Sequence, residues 1–405
     1  MSEQSLKSIR VLDLSRVLAG PYATQMLGDL GAEIIKVERP GFGDDTRKWG
    51  PPFLEDADGD TTQESAYYLS CNRNKRSIAV DITSDEGQRI IHDLIEKSDI
   101  LIENYKVGGL KKYGLDYESL KDKHPRLVYC SISGFGQEGP LAKEPGYDFL
   151  AQGMAGLMAC TGEPEEAPMK VGVALSDIMT GMNAVIGILA ALRHRDQTGE
   201  GQHVDVALTD CTLAALTNIA QYYLTSGDIA PRLGNAHSTI VPYQAFEAAD
   251  GYLIIAVGND SQFARFAKHL GKNWDEDVRF QTNSARVQNR DALIPDIKAA
   301  LKAKTVEAWL DDFHEIDVPC APVNTMDQVF AMEQTQARDM QISMHHEGAQ
   351  RDINLVGNPI KMSKTPASYR HAPPTCGQDS NAILKELLDL DDASIAQLKA
   401  SQIIG

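Results

Sequence analysis

Two runs near the start of the chain, Ile9-Arg10-Val11-Leu12-Asp13-Leu14 and Glu33-Ile34-Ile35-Lys36-Val37-Glu38, decide how the rest is read. Both are short and rich in β-branched residues, the texture of strands rather than helices. The same texture returns at residues 77–82, 100–103 and 127–133. Between these runs lie segments of helical period. In residues 84–97, Ile90, Ile91, Leu94 and Ile95 recur on one face behind a Ser84 cap. Strands alternating with helices predict an α/β fold whose mostly parallel sheet is covered on both faces. Residues 177–195 read as one long, largely buried helix, ended by Asp196-Gln197-Thr198-Gly199, with a further strand at 203–208.

The texture changes after about Gly227. Pro231, Gly234 and Pro242 punctuate the chain, and Asp250-Gly251 between the apolar runs 243–248 and 252–257 predicts a hairpin. The expected organisation is a large unit at residues 1–226, a smaller α+β unit at 227–325, and a tail at 326–405 ending in two short helices. Such a tail is expected to pack on a neighbouring part.

Composition narrows the function. The 405 residues are 42% hydrophobic and 24% charged, as in a soluble globular protein, with a formal charge of −18. A net acidic surface repels phosphodiester backbones, so no nucleic-acid partner is expected. The first residues lack the apolar core of a signal peptide, and the most apolar stretch, 184–192, is too short to span a bilayer. A cytoplasmic location with no membrane partner is the expectation. The six cysteines form no CxxC pair and the ten histidines no HExxH, so neither a disulfide scaffold nor a metal is expected.

Gly134-Phe135-Gly136-Gln137-Glu138-Gly139 matches a dinucleotide fingerprint literally. That motif works only when a helix opens at its last glycine, and here Pro140 follows at once; a glycine turn is the better reading. Cations, by contrast, gather where strands end: Arg39, then Cys71-Asn72-Arg73-Asn74-Lys75-Arg76, then Asn104-Tyr105-Lys106 with Lys111 and Lys112. In a parallel sheet these positions line the ligand crevice, so the groups are candidates to meet a polyphosphate. Asp177 stands where an apolar segment becomes a helix. An aspartate there is commonly an N-cap worth about 1 kcal/mol. It is also a carboxylate placed to act as a nucleophile. Spacing alone leaves both open.

A set of motifs in order decides more. They are Val11-Leu12-Asp13-Leu14-Ser15-Arg16-Val17-Leu18-Ala19-Gly20-Pro21, Leu27-Gly28-Asp29-Leu30-Gly31-Ala32-Glu33, Lys36-Val37-Glu38-Arg39-Pro40, Asn74-Lys75-Arg76-Ser77-Ile78, Glu103-Asn104-Tyr105, Pro145-Gly146-Tyr147-Asp148, the Asp177 segment and Gly187-Ile188-Leu189-Ala190-Ala191-Leu192. Together they resemble the class III CoA transferases, the CaiB/BaiF family, over nearly the whole chain. The resemblance implies an interlocked homodimer, with a Rossmann-like large domain built from both chain ends and a small domain between. It implies acyl-CoA and a carboxylic acid as substrates and no prosthetic group. Asp177 takes the place of the family's catalytic aspartate. Val17, Leu18, Arg39, Cys71, Asn72, Arg73, Asn74, Lys75, Asn104, Tyr105, Lys106 and Lys112 are placed around CoA, and Pro145, Gly146, Tyr147 and Asp148 form a wall of the same site. The implied route runs through an aspartyl anhydride and an aspartyl-CoA thioester, with backbone N–H groups of the Asp177 turn stabilising the oxyanions.

The family also contains α-methylacyl-CoA racemases, whose Gly-His-Asp motif supplies a base. Here the middle residue is Tyr147, and a tyrosine of pKa about 10 is a poor base at neutral pH. Formyl-CoA:oxalate enzymes carry a glycine-run lid where this chain has Gly234-Asn235-Ala236-His237-Ser238. Residues 236–246, with Gly43-Asp44-Asp45-Thr46-Arg47 and Trp49-Gly50-Pro51-Pro52, are most similar to succinyl-CoA:glutarate enzymes. Arg47, and less so His237, are the candidate partners of a dicarboxylate's distal end.

Overall fold

The structure is a computed structural model that describes residues 4–405, and these fall into two compact units. The larger takes in residues up to 157, 171–220 and 333–405; the smaller is 158–170 with 221–332. The small unit thus begins a few residues before 227, extends past 325, and recruits a separate piece of chain that composition did not flag.

The large unit is built on a six-stranded parallel sheet. Its strands are β1 (Arg10–Asp13), β2 (Glu33–Glu38), β3 (Lys75–Ala79), β4 (Ile100–Glu103), β5 (Val128–Ser133) and β6 (His203–Ala207). Their order is β3-β2-β1-β4-β5-β6, the doubly wound order in which the sheet reverses direction between β1 and β4. Neighbouring side chains point to opposite faces, so each strand feeds two cores. Leu12, Ile35, Val37 and Ile78 pack on one side against Ile90, Ile91 and Leu94 of helix α2 (Asp85–Glu96). Val11, Ile34, Ile102 and Val128 pack on the other, against α1 (Ala19–Asp29) and the long α4 (Leu175–Thr198). Ser84 caps α2 as expected, its Oγ accepting from Gly87 N at 3.0 Å.

β3 starts two residues earlier than its sequence pattern and ends at Ala79, because Lys75 already pairs with Ile34 in the ladder. Beyond it Val80 forms a bridge with Ile404. The tail's two helices, Ser380–Leu388 and Asp392–Ala400, return to this edge, with Ile383, Leu384 and Ile395 completing the first core.

α4 differs from its reading in burial. It is long and apolar enough to cross a membrane by length and composition, yet it packs on α1 and the sheet, with Ile186 and Met182 left exposed on its outer side. Its closest neighbour is α1: a Cβ on Gly181 would stand 2.6 Å from Ala19 O. The glycines of the false fingerprint serve a similar purpose. A Cβ on Gly134 would lie 2.4 Å from Gly146 Cα, so these two backbones meet only because both lack side chains. No helix opens there until α3 (Asp148–Met154).

In the small unit, the hairpin β7 (Tyr243–Glu247) and β8 (Tyr252–Ala256) closes at Asp250-Gly251 as predicted, with β9 (Cys320–Pro322) on its free side. Phe246, Phe263, Phe266, Trp309 and Phe313 form its separate core.

Candidate active site

Beyond the carboxyl ends of β1 to β4, in the large unit, lies a cavity of about 1080 Å³. This is where an open parallel sheet with a reversed order holds its ligand. Arg39, Tyr105, Lys106 and Lys112 line it, all of them candidates from the sequence, together with Arg16 and Lys399, which sequence reasoning missed. Arg39, Lys106, Lys112 and Lys399 enter no ion pair among the described residues, whereas the acids of the cavity are largely matched: Asp45 to Arg16 at 2.8 Å, Asp44 to Lys36 at 2.9 Å. Although buried, Asp44 is held at a pKa of about 2, chiefly because the Lys36 ammonium and the Thr46 donors overcome its desolvation. The cavity therefore presents unspent positive charge despite the acidity of the whole.

The loop Arg16–Leu18 runs from this cavity into α1, whose first residue, Ala19, lies against Gly181, one turn beyond Asp177 on α4. Asn104 clasps Arg16 from both sides, Oδ1 accepting from its N at 2.9 Å and Nδ2 donating to its O at 2.6 Å. Val17 follows with φ +71°, a conformation that β-branched residues avoid and that persists only where surroundings enforce it. Its N donates to Asp44 at 3.3 Å, and its O accepts from Cys71 Sγ, which also reaches Tyr67 O. Leu18 is buried at the entry to α1.

Asp177 is half-buried in the first turn of α4 and is not its N-cap; that position is Ala174, which offers no side-chain bond. The cap comes from outside: Asp148 Oδ1 accepts from Ser176 N at 2.8 Å and Asp177 N at 3.3 Å. Gln152 fixes Asp148 through its Nε2 at 2.7 Å and is itself anchored by Val171 N at 2.9 Å. Asp177's carboxyl is thus freed from capping. Burial, and then the Asp148 carboxylate, push its pKa up to about 7. Tyr67 stands close by: burial and then Asp177 raise its phenol well above the usual range.

The same geometry corrects one expectation. The N–H groups of Ser176 and Asp177 already donate to Asp148, so they are not available to a developing oxyanion.

Other candidates are placed differently. Cys71, Asn72, Arg73, Asn74 and Lys75 are buried and do not line the cavity. Arg73 and Asn74 bind Asp29, and Lys75 binds Asp13 at 3.3 Å with Pro21 O and Asn72 Oδ1 at 2.9 Å. Their charges tie elements together; only Cys71 faces the Val17 loop. Arg47 is likewise spent, its guanidinium divided among Glu38, Glu64, Tyr68 and Pro374 O. It is not free to take a substrate carboxylate. Pro145, Gly146 and Tyr147 form the approach to Asp148, with Tyr147 exposed. His237 belongs to the small unit, its ring tilted against Tyr243 with centroids 5.2 Å apart. Among the described residues no group of three or more His, Cys, Asp or Glu stands together as a metal site, and all six cysteines are unpaired.

A carboxylate attacks only when unprotonated, so if Asp177 is a nucleophile its raised pKa predicts an acid limb in the rate. Activity at subsaturating substrate should fall about tenfold per pH unit below roughly 7 and level above it. Asp148→Asn keeps an oxygen for the two N–H groups but removes the like charge, so the limb should move to lower pH. A limb near the ordinary carboxylate range in the parent protein would contradict the environment described above.

Comparison with known proteins agrees with this architecture. Residues 6–380 match CoA-transferase family III. The chain is 47% identical to succinate–glutarate CoA-transferase of Agrobacterium fabrum, covering 94% of this chain and 95% of the relative. It is 42% identical to human succinyl-CoA:glutarate CoA-transferase, covering 98% and 90%. A solved CaiB/BaiF family protein from Brucella suis superposes with a TM-score of 0.86 at 46% identity, over 96% of this chain and all of that one.

Proposed function

From the premise that the chain belongs to CoA-transferase family III and is an enzyme that transfers CoA, we propose that it moves CoA from succinyl-CoA to glutarate, with Asp177 as the covalent nucleophile. The observation that carries the assignment is Asp177 itself, half-buried, relieved of capping by Asp148, and carried on a helix packed against α1, whose entry loop lines a cation-rimmed cavity. Relatives with 42–47% identity carry the choice of succinate and glutarate.

The chemistry follows from these groups. The Asp177 carboxylate attacks the thioester carbonyl, the C–S bond breaks, and CoA leaves as thiolate with a mixed anhydride left behind. A thiol of pKa about 8.5 leaves readily without a proton donor. The thiolate then attacks the aspartyl carbonyl, expelling succinate and forming aspartyl-CoA. Glutarate attacks that thioester, giving a second anhydride and thiolate, and the thiolate takes the glutaryl carbonyl and restores the Asp177 carboxylate. One thioester replaces another, so no ATP is consumed. Both intermediates hydrolyse readily, which is why water must be excluded around Asp177. The substrate cavity holds CoA by its charged end, through Arg39, Lys106 and Lys112.

We further infer a cytoplasmic homodimer. Six unpaired cysteines suit a reducing compartment. Phe149, Leu150, Ile186 and Leu213, all exposed on α3, α4 and α5 (Leu208–Ala215), suit burial against a second copy.

The test is an ATP-free, metal-free exchange with succinyl-CoA and a panel of carboxylates, with new esters read by mass spectrometry. Glutaryl-CoA should dominate. Hydroxylamine added during turnover should leave a hydroxamate on Asp177. Exchange that proceeds with no label on Asp177 would refute the nucleophile while leaving the reaction standing. Racemisation of a 2-methylacyl-CoA without exchange would favour the racemase reading.

A further inference from the structure

The side of the cavity next to the edge strand β3 is made only in part by the loop after that strand, Val80 to Thr83. The rest comes from the last described residues, which fold back over some three hundred positions of sequence. Helix α6 (Asp392–Ala400) carries Lys399 in its last turn; Gln402 then turns the chain with φ +57°, Ile404 bridges Val80, and Gly405 N donates to Ala79 O at 3.1 Å. Lys399, Gln402 and Ile404 are thereby set into the wall of the cavity.

The charges of the cavity sort into spent and unspent groups. Glu38 is bound by Arg47 and Ser77, Asp44 by Lys36, Asp45 by Arg16, and Asp81 accepts from Thr83. Lys399 has no ion-pair partner among the described residues, and it lines the same volume as Lys106 and Lys112. The polarity of the sheet gives this position a meaning. α4, which carries Asp177, packs on α1, β5 and β6 in the core of one sheet face, whereas α6, which carries Lys399, packs into the core of the other face beside β3. A CoA ester whose thioester carbon lies at Asp177 has its nucleotide, with a diphosphate and a 3′-phosphate, at the far end.

We propose that Lys399 binds a phosphate of the CoA nucleotide, so that the carboxyl-terminal helix is part of the substrate site. This rests on the CoA-transfer reading of the same cavity. The side chain is exposed at the end of a helix, so its replacement leaves the fold intact.

The test compares Lys399→Ala and Lys399→Glu with the parent enzyme, measuring exchange against succinyl-CoA concentration at low salt. Arg39→Ala serves as positive control. Lys302→Ala, on the small unit and paired with Glu247, controls for net charge. Lys399→Ala should raise KM for succinyl-CoA about fivefold, the upper range for a solvent-exposed ion pair, with kcat unchanged. Lys399→Glu should raise it further, and added salt should shrink both differences. Repeating the series with the 3′-dephospho thioester separates the two phosphate sources. A Lys399 effect that vanishes assigns the 3′-phosphate, and one that persists assigns the diphosphate; either supports the proposal. If both Lys399 variants keep the parental KM while Arg39→Ala raises it, the proposal is overturned and the cavity stands. If Arg39→Ala also leaves KM unmoved, the cavity reading falls with it.

Discussion

Replacing Asp177 by alanine is expected to abolish CoA exchange, by roughly 10⁴-fold or more as for loss of other covalent nucleophiles, while CoA still binds. The two effects separate because the groups are separate: the cations of the cavity sit on strand-end loops and α6, and none is held by Asp177. Single-turnover mass spectrometry should find no aspartyl-CoA in the variant, and titration with CoA should give an affinity close to that of the parent. Retained exchange would remove Asp177 from the mechanism.

The same position carries a stability consequence whose sign is fixed by its environment. The folded carboxyl titrates near 7 and an unfolded aspartate near 3.9, so the folded state holds the proton more tightly. Stability from this group is therefore full below about pH 4 and is lost as pH rises through 7. At pH 8 Asp177→Asn should melt above the parent, and the gap should close towards pH 4. A nucleophile kept charged in a half-buried, like-charged setting lowers the stability of the fold that holds it.

The second large effect belongs to Arg47. Arg47→Met is expected to cost about 3–5 kcal/mol of unfolding free energy, because it leaves buried carboxylates without their counter-charge. The guanidinium grips Glu38 with two bonds of 2.8 and 2.7 Å, binds Glu64, donates to Tyr68 Oη at 2.6 Å and Pro374 O at 3.0 Å, and lies 3.7 Å from the Tyr68 ring centroid. Glu64 escapes part of the penalty by taking a proton, since burial already pushes its pKa up to about 7. Glu38 loses more: burial works against its charge, and Arg47 is the chief group holding its pKa low, ahead of Lys36 and Ser77. Arg47→Lys keeps the charge but loses the fork, and should fall between the parent and Met. Denaturant unfolding at fixed pH measures all three. A variant with parental stability but a raised KM for glutarate would restore Arg47 as a substrate group.

The contrast between Arg47 and Arg39 shows what the sequence holds and what it does not. Buried parallel strands write themselves as short apolar runs, so β1, β2, β4 and β5 were visible, and with them the crevice where Arg39, Lys106 and Lys112 gather. Burial of individual cations was not visible. Cys71 to Arg76 shows three positive charges with no acid in the local sequence, but Asp29 reaches Arg73 from 44 residues away and Asp13 reaches Lys75 from 62. Arg47 meets Glu38 across the turn after β2 and Glu64 on the short strand Thr61–Ser65, neighbours that only the fold brings together. Lys399 was missed because nothing local says where a tail lands; Asp148 was expected at the site, but its capping role was not legible because the N–H it binds lies 28 residues on.

That tail has a bearing on how the protein is made. Asn74 is tied to Ser368 and His371, Ser77 to Asp379 and Ala79 to Ser380, so the edge of the sheet is sealed by residues synthesised roughly three hundred positions later. During translation, 221–332 emerge before the final segment of the large unit and hold a core of their own, so they are able to fold while the sheet still waits with its β3 edge open. A nascent chain paused there is a candidate client for chaperones. Deletion of the last two helices should then act on yield and solubility before it is felt in catalysis.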